Sequence, residues 1–130
     1  MKPKTIAFVL SLAACLWMLM PPTPVSAQEP KEDRQLLDKI LKATEEDDYD
    51  NFVAVGDYAF KAGMTPQMLE GVSGQVAPRL KKGYDCTYLG ELNQKGFKVC
   101  LWKLVFMDGG DDILAKLVIK NQKVAGFWIQ

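Results

Sequence analysis

The spacing of apolar residues changes once along this chain, between residues 80 and 84. Before that point apolar positions recur every three or four residues, the period of an α-helix, and from Tyr84 onward they alternate with polar ones. The first part therefore predicts helices and the second predicts strands. Strands that follow a block of helices indicate the α+β class.

Three helices are predicted. The first covers residues 32–46, and the second follows a run of capping aspartates and ends at Gly63. The Thr-Pro pair at 65–66 is typical of an N-cap and first turn, and it begins the third helix. We expect this helix to be short or broken near Ala77, because Pro78 and two glycines interrupt its apolar stripe.

Turn signals at residues 93–96, 108–111 and 120–123 separate four strands, which predicts an antiparallel meander. Two-residue loops in the last two turns would place Trp102 opposite Leu117. One face of the sheet then contains only apolar residues and glycine, so helices must cover it. We predict this inner face to contain Tyr84, Cys86, Tyr88, Cys100, Trp102, Leu104, Phe106, Ile113, Ala115, Leu117, Ile119, Val124, Gly126 and Trp128.

The opposite face of the sheet mixes lysines with large apolar residues. Lys103 is predicted to lie directly opposite Lys116, a like-charge pair that costs up to about 1 kcal/mol. A second subunit that contributes acids and apolar groups would remove this cost, which predicts a homodimer through the outer sheet face. Alternatively, the lysine stems cover the apolar residues and keep their ammonium groups in solvent. The candidate interface residues are Leu101, Lys103, Val105, Lys116, Val118 and Phe127.

Two cysteines lie in the predicted sheet. A three-residue first hairpin loop, with Gly96 in a left-handed bulge position, sets Cys86 opposite Leu104 and Cys100 opposite Gly90. The cysteines then share a face but lie about 13 Å apart along the strands, at ~3.3 Å per residue. A disulfide needs Cα atoms within about 7 Å, so two buried thiols are favoured. A five-residue loop would instead allow the bridge that an oxidising compartment favours.

The N-terminus has the layout of a secretory signal. Two lysines precede an apolar run over residues 6–20, and residues 21–27 end in the small-residue sequence Val-Ser-Ala. We therefore expect residues 1–27 to be a signal peptide and residues 28–130 to be one exported domain, periplasmic or extracellular. The apolar run is shorter than the ~20 residues of a stable span, so no membrane span is expected after cleavage. Lipidation of Cys15 is the alternative.

Composition excludes several kinds of chemistry. Removing Lys2 and Lys4 with the signal leaves fourteen basic and sixteen acidic residues, and this net charge of −2 argues against a nucleic-acid partner. The chain has no histidine, and Ser73 is its only serine after the signal, which excludes Ser-His-Asp, Cys-His and histidine-ligated zinc sites. We interpret the acidic runs at 45–48 and 108–112 as helix and turn caps, so we expect neither a metal nor a cofactor.

Several short motifs carry a resemblance to a known family. They are Phe52 to Val55, Thr65 to Leu69, Lys81-Lys82-Gly83, and Lys123 to Gly126. Over residues 48–130 the chain resembles the small cystatin-like, nuclear-transport-factor-like (SnoaL-like) domains of bacterial secreted proteins, some of which stand before α/β-hydrolases. The resemblance implies helices packed on a curled sheet that encloses an apolar cone. Relatives of this broad fold include isomerases and dehydratases with an Asp-His pair, which a chain without histidine does not have.

Two functional hypotheses follow. The first is a non-catalytic interaction or small-ligand-binding module with an apolar ligand in the cone, although aromatic residues there would also suit a plain core. The candidate pocket residues are Tyr58, Tyr88, Trp102 and Trp128. The second hypothesis is a small lyase or isomerase that uses Asp85 or Asp57 as a general base, which requires the carboxylate to be buried in the cone.

Overall fold

A computed structural model describes residues 28–130, so the predicted signal peptide and Cys15 lie outside the described residues. Helices precede a four-stranded antiparallel meander, which confirms the predicted α+β class. The helices are α1 (Lys31–Glu46), α2 (Tyr49–Ala54), α3 (Tyr58–Gly63) and α4 (Pro66–Lys82). The strands are β1 (Tyr84–Gln94), β2 (Phe97–Phe106), β3 (Ile113–Lys120) and β4 (Lys123–Ile129), in that spatial order.

The predicted second helix is two helices in the structure. Asp48 caps α2 by accepting a hydrogen bond from the Asn51 amide, and Asp57 caps α3 by accepting one from the Phe60 amide. Residues 55–57 leave the helical path because their backbone pairs with β4 through one residue, Val124. The expected single helix is therefore wrong, and the hydrogen bonds to the sheet give the physical reason.

Helix α4 continues through Pro78, so the predicted break near Ala77 is also wrong. Proline lacks an amide hydrogen, and the helical bond that it gives up is the one to the carbonyl of Gly74. Both residues lie on the exposed side of the helix, where water can bond the freed carbonyl. The opposite side buries Val76 and Leu80 in the core, which favours a continuous helix.

The three hairpin connections set the register of the sheet. The loop at Asn121-Gln122 has two residues, as predicted, whereas the first hairpin loop has two residues instead of three. The β2–β3 loop covers residues 107–112, because Arg79 of α4 binds the carboxylate of Asp108 at 2.7 Å and the carbonyl of Asp111 at 2.6 Å. These bonds hold the loop open and prevent a two-residue turn.

The longer β2–β3 loop changes which residues pair across these two strands, but it leaves each side chain on its predicted side of the sheet. Trp102 lies opposite Ala115 instead of Leu117, and Lys103 lies opposite Leu114. The predicted like-charge pair of Lys103 and Lys116 is therefore wrong. A shift by two residues leaves every side chain on its predicted side, because the side-chain period of a strand is two.

A β-bulge in β4 does change the faces. Ile119 lies opposite Val124, but Val118 lies opposite Gly126, so Ala125 is the extra residue of the bulge. Beyond it, the sequence-based assignment is wrong: Phe127 and Ile129 point to the helices, and Gly126 and Trp128 lie on the outer face. The Trp128 ring covers Gly126 so closely that a Cβ there would collide with it.

The helices and the inner face of the sheet share one hydrophobic core. α1 packs on α2 and α4, α3 contacts β4, and α4 contacts β2. The sheet supplies Trp102, Leu104 and Leu117, all fully buried. Phe127 packs its ring edge-on to Phe52, which joins β4 to α2. No helix within residues 28–130 is long and apolar enough to cross a membrane.

Candidate functional site

The four residues predicted to line a pocket do not come together. Tyr58 is 88% exposed at the start of α3, and Trp128 is half-exposed on the outer face. Trp102 is fully buried, and the half-buried Tyr88 packs against its ring with a centroid distance of 5.6 Å. Tyr88 and Trp102 therefore form part of the core, and Tyr58 lies on the surface. Trp128 borders the groove between α3, α4 and β4 that is described below.

Neither candidate aspartate lies in an apolar cavity. Asp85 is exposed and lies opposite Val105 on the outer face of the sheet. Asp57 is half-buried, and its carboxylate already accepts the hydrogen bond that caps α3. The burial that the lyase hypothesis requires is absent at both positions.

The buried carboxylate of the described chain is Asp33, which sequence reasoning did not select. It lies in the first turn of α1 and is 3% exposed. The Lys98 ammonium lies 2.6 Å from its carboxylate, and the Cys100 thiol donates to the same oxygen at 3.6 Å. A signal was available in the sequence, because Asp33 precedes Leu37 by four residues and therefore shares the buried side of α1.

Asp33 and Cys100 lie beside Glu91, and one ligand atom from each of the three falls within 4.8 Å of the others. A metal ion would have to displace the Lys98 ammonium from Asp33. It would also have to take the proton of Cys100, whose pKa burial raises to about 12, with the Asp33 charge adding to the effect. The residues therefore suit a neutralised ion pair better than a metal centre.

A second group of polar contacts ties the start of the described chain to the core. Glu29 accepts a hydrogen bond from the indole of Trp102 at 2.7 Å and another from Arg34 at 3.1 Å. Arg34 also binds Asp38 at 2.8 Å. These contacts satisfy the one polar atom of a fully buried tryptophan, which is a structural task.

Cys86 and Cys100, the cysteines within residues 28–130, form no disulfide. Cys86 lies opposite Leu104, as predicted, but Cys100 lies opposite Glu91 because a bulge at Leu89 shifts the register. Burial raises the pKa of Cys86 to about 11 and that of Cys100 to about 12. Both thiols are therefore protonated at neutral pH and are poor nucleophiles.

We expect thiol reagents to discriminate strongly between the folded and unfolded protein. At pH 8 a pKa of about 11 leaves about a hundredfold less Cys86 thiolate than a pKa of 9 does. In a protein of residues 28–130, Ellman's reagent should therefore label Cys86 about a hundredfold more slowly in buffer than in denaturant. The Cys86→Ala variant reports on Cys100 alone, which should react only when the core opens. Fast labelling of either thiol in buffer would contradict the burial described above.

A large, mostly apolar groove lies beside the edge of the sheet. It has a volume of about 960 Å³ and runs between α3 and α4 on one side and β4 on the other. Typical ligand sites have 300–1,000 Å³ and mostly apolar walls with a few polar groups. We call it the β4 groove, and its walls include Phe60, Met68, Gly71, Val72, Phe127 and Ile129.

The β4 groove has polar groups on both sides: the side chains of Gln67, Gln75 and Arg79 on α4, and backbone groups on the edge strand. Gln130 exchanges both backbone hydrogen bonds with Leu114 of β3. Because an antiparallel ladder alternates, the amide and carbonyl of Phe127 and Ile129 point away from β3 and toward the groove. Residues 28–130 supply no backbone partner for these groups. The groove therefore combines mostly apolar walls with a row of free backbone hydrogen-bonding groups along its β4 side.

Comparison with known proteins adds no functional information. No protein-family model matches this chain, and no curated protein matches it.

Proposed function

We propose that this protein is a non-catalytic binding module whose β4 groove takes a small, largely apolar ligand with hydrogen-bonding groups along one side. The observation that carries the proposal is the groove, with apolar walls from α3 and α4 and the free backbone groups of Phe127 and Ile129. The exposed side chains of Met68 and Val72 in its wall support it, because they are 51% and 41% exposed without a ligand.

The remaining sequence-based expectations are consistent with this proposal. We infer an exported protein of the cystatin-like, nuclear-transport-factor-like kind, and helices followed by a four-stranded meander support that relationship. The signal at residues 1–27 supports export to the periplasm or the cell exterior. A homodimer through the outer sheet face stays an untested prediction and is not part of this proposal. Phe127 leaves the predicted interface because it points to the helices.

The test uses two glycines of α4 that differ in position alone. A Cβ added at Gly71 or at Gly74 meets no atom within 4 Å, so Gly71→Phe and Gly74→Phe should both fold. Gly71 lines the β4 groove, and Gly74 does not. Wild type and both variants are purified from the native host and analysed by non-denaturing mass spectrometry, with solvent extraction to identify the bound compound.

We expect wild type and Gly74→Phe to retain the same non-covalent mass, and Gly71→Phe to lose at least nine tenths of it. Loss in both variants, or in neither, would remove the β4 groove as the site. The same spectra report whether the exported chain begins at Gln28. A protein that carries no ligand from its host and binds no compound in an extract of that host would contradict the binding function.

A further inference from the structure

The outer sheet face carries a cluster of positive charge with few acids beside it. The register places four lysines and a single acid on this face: Lys103, Lys116, Lys120, Lys123 and Asp85. Residues 28–130 contain fourteen basic and sixteen acidic residues, so ten basic and fifteen acidic residues lie elsewhere. The molecule therefore has one positive face on a negative body.

The four lysines remain available to an external anion. The salt bridges within residues 28–130 involve Arg34, Lys42, Arg79 and Lys98, and none of the lysines of the outer sheet face. Two of the four stand over aromatic rings instead. Lys116 lies 4.7 Å from the centre of the Trp128 ring, and Lys120 lies 4.9 Å from that of Phe97. Their stems thus cover apolar surface while their charges face solvent.

Apolar and aromatic side chains lie between these charges. Leu101, Val105, Leu114 and Val118 are half-buried, and Trp128 is 50% exposed at the edge of the face. A half-exposed tryptophan with lysines around it suits the headgroup region of a lipid bilayer, where the indole ring is both wet and apolar. Each lysine near an anionic lipid surface strengthens the binding of a protein to that surface about fivefold.

We propose that the outer sheet face binds the surface of a membrane that contains anionic phospholipids. The lysines contact the phosphate groups, and Trp128 lies at the depth of the headgroups. The binding is peripheral and needs no spanning segment. It rests on the lysines of the sheet, none of which lines the β4 groove, and the two sites share only the side chain of Trp128. Either proposal can therefore fail without the other.

A second copy of this chain fits the same face less well. A two-fold contact would set four lysines against four lysines, with only one acid from each copy to separate them. Like charges juxtaposed at an interface are strongly unfavourable, whereas an anionic bilayer meets all four lysines with the opposite sign.

The test is co-sedimentation of the protein beginning at Gln28 with lipid vesicles. One set contains equal amounts of phosphatidylglycerol and phosphatidylcholine, and the other contains phosphatidylcholine alone. We expect binding to the anionic vesicles only, with at least a tenfold loss when sodium chloride is raised from 0.02 to about 0.5 M, because surface charge is then screened. The emission of Trp128 should shift to the blue on binding, with the Trp102→Phe variant used to isolate it.

Matched charge reversals locate the surface. Lys103→Glu/Lys116→Glu changes the outer sheet face, whereas Lys61→Glu/Lys81→Glu makes the same change of net charge on exposed positions of α3 and α4. We expect the first pair to lose at least 25-fold in vesicle binding, from about fivefold per lysine, and the second pair to lose less than about threefold.

Three outcomes would overturn the proposal. The first is equal binding to neutral vesicles or no binding to either set, a comparison that needs only wild type and so does not depend on how the variants fold. The second is an equal loss in both pairs. The third is a dimer in sedimentation equilibrium that Val118→Glu splits, which would assign the face to a second copy.

Discussion

Replacing Trp102 by alanine should lower the free energy of unfolding by about 4 kcal/mol, close to the whole stability of a small domain. Trp102 is fully buried at the centre of the inner face, and its indole donates to Glu29 at 2.7 Å. The substitution leaves a cavity that the rigid sheet does not fill and removes a partner from a half-buried carboxylate. Urea denaturation followed by circular dichroism measures the change.

The matched control is Trp128→Ala, which should change stability by about 1 kcal/mol or less. Trp128 is half-exposed on the outer face, where its ring covers Gly126 and lies under Lys116. The two substitutions remove the same side chain from β2 and β4. Similar losses at both positions would mean that the β4 bulge is absent and that Trp128 points into the core.

Replacing Lys98 by methionine should cost about 2 kcal/mol at pH 7. The substitution leaves the buried Asp33 carboxylate without its cation, and breaking a buried pair in this way costs 3 to 5 kcal/mol when both partners are fully buried. We lower the figure because the Lys98 side chain is 34% exposed, so water screens part of the attraction. Chemical denaturation at pH 7 measures the loss.

A double-mutant cycle separates the ion pair from general effects of substitution. We expect Asp33→Asn/Lys98→Met to be more stable than Lys98→Met alone, because the uncompensated charge is then gone. Strictly additive losses would show that the two side chains do not interact.

Alkaline pH gives a second measurement of the same pair. Burial lowers the pKa of Lys98, but the hydrogen bond to Asp33 and its charge outweigh burial, so the pKa is raised above 10.5. The contribution of the Asp33–Lys98 pair to stability is thus complete below pH 10.5. It is lost as the pH rises through the pKa of Lys98 in the folded protein. The thiols add to the loss from about pH 9, because unfolded cysteines ionise there and folded ones do not. Wild type should therefore lose stability more steeply above pH 9 than Cys86→Ala/Cys100→Ala.

Local patterns of the sequence predicted most of the elements of this protein. The helix over residues 32–46 and the end of α3 at Gly63 agree with the structure, because capping residues and helical period act within one or two turns. The strand alternation likewise assigned the faces of β2 and β3 correctly. Both depend on neighbours a few residues apart, so they can be read from the chain alone.

The candidate site was much less predictable. The pocket residues were chosen as aromatic positions on an assumed inner face, and one bulged residue, Ala125, was enough to move Trp128 to the outer face. Tyr58 could not be placed from sequence either, since the break before α3 depends on backbone bonds to Val124. The β4 groove is formed by helices and a strand that lie 41 residues or more apart in the chain, and it has no local motif.

The sequence by itself determined the class of fold, the number and order of the strands and the net charge of residues 28–130. These follow from period, turn chemistry and composition, which are local or additive properties. Only the tertiary structure decided the register of the hairpins, the continuity of α4 through Pro78 and the burial of Asp33 beside Lys98. Each of these depends on a contact between distant segments, such as Arg79 with the β2–β3 loop, and local patterns of the sequence do not contain such contacts.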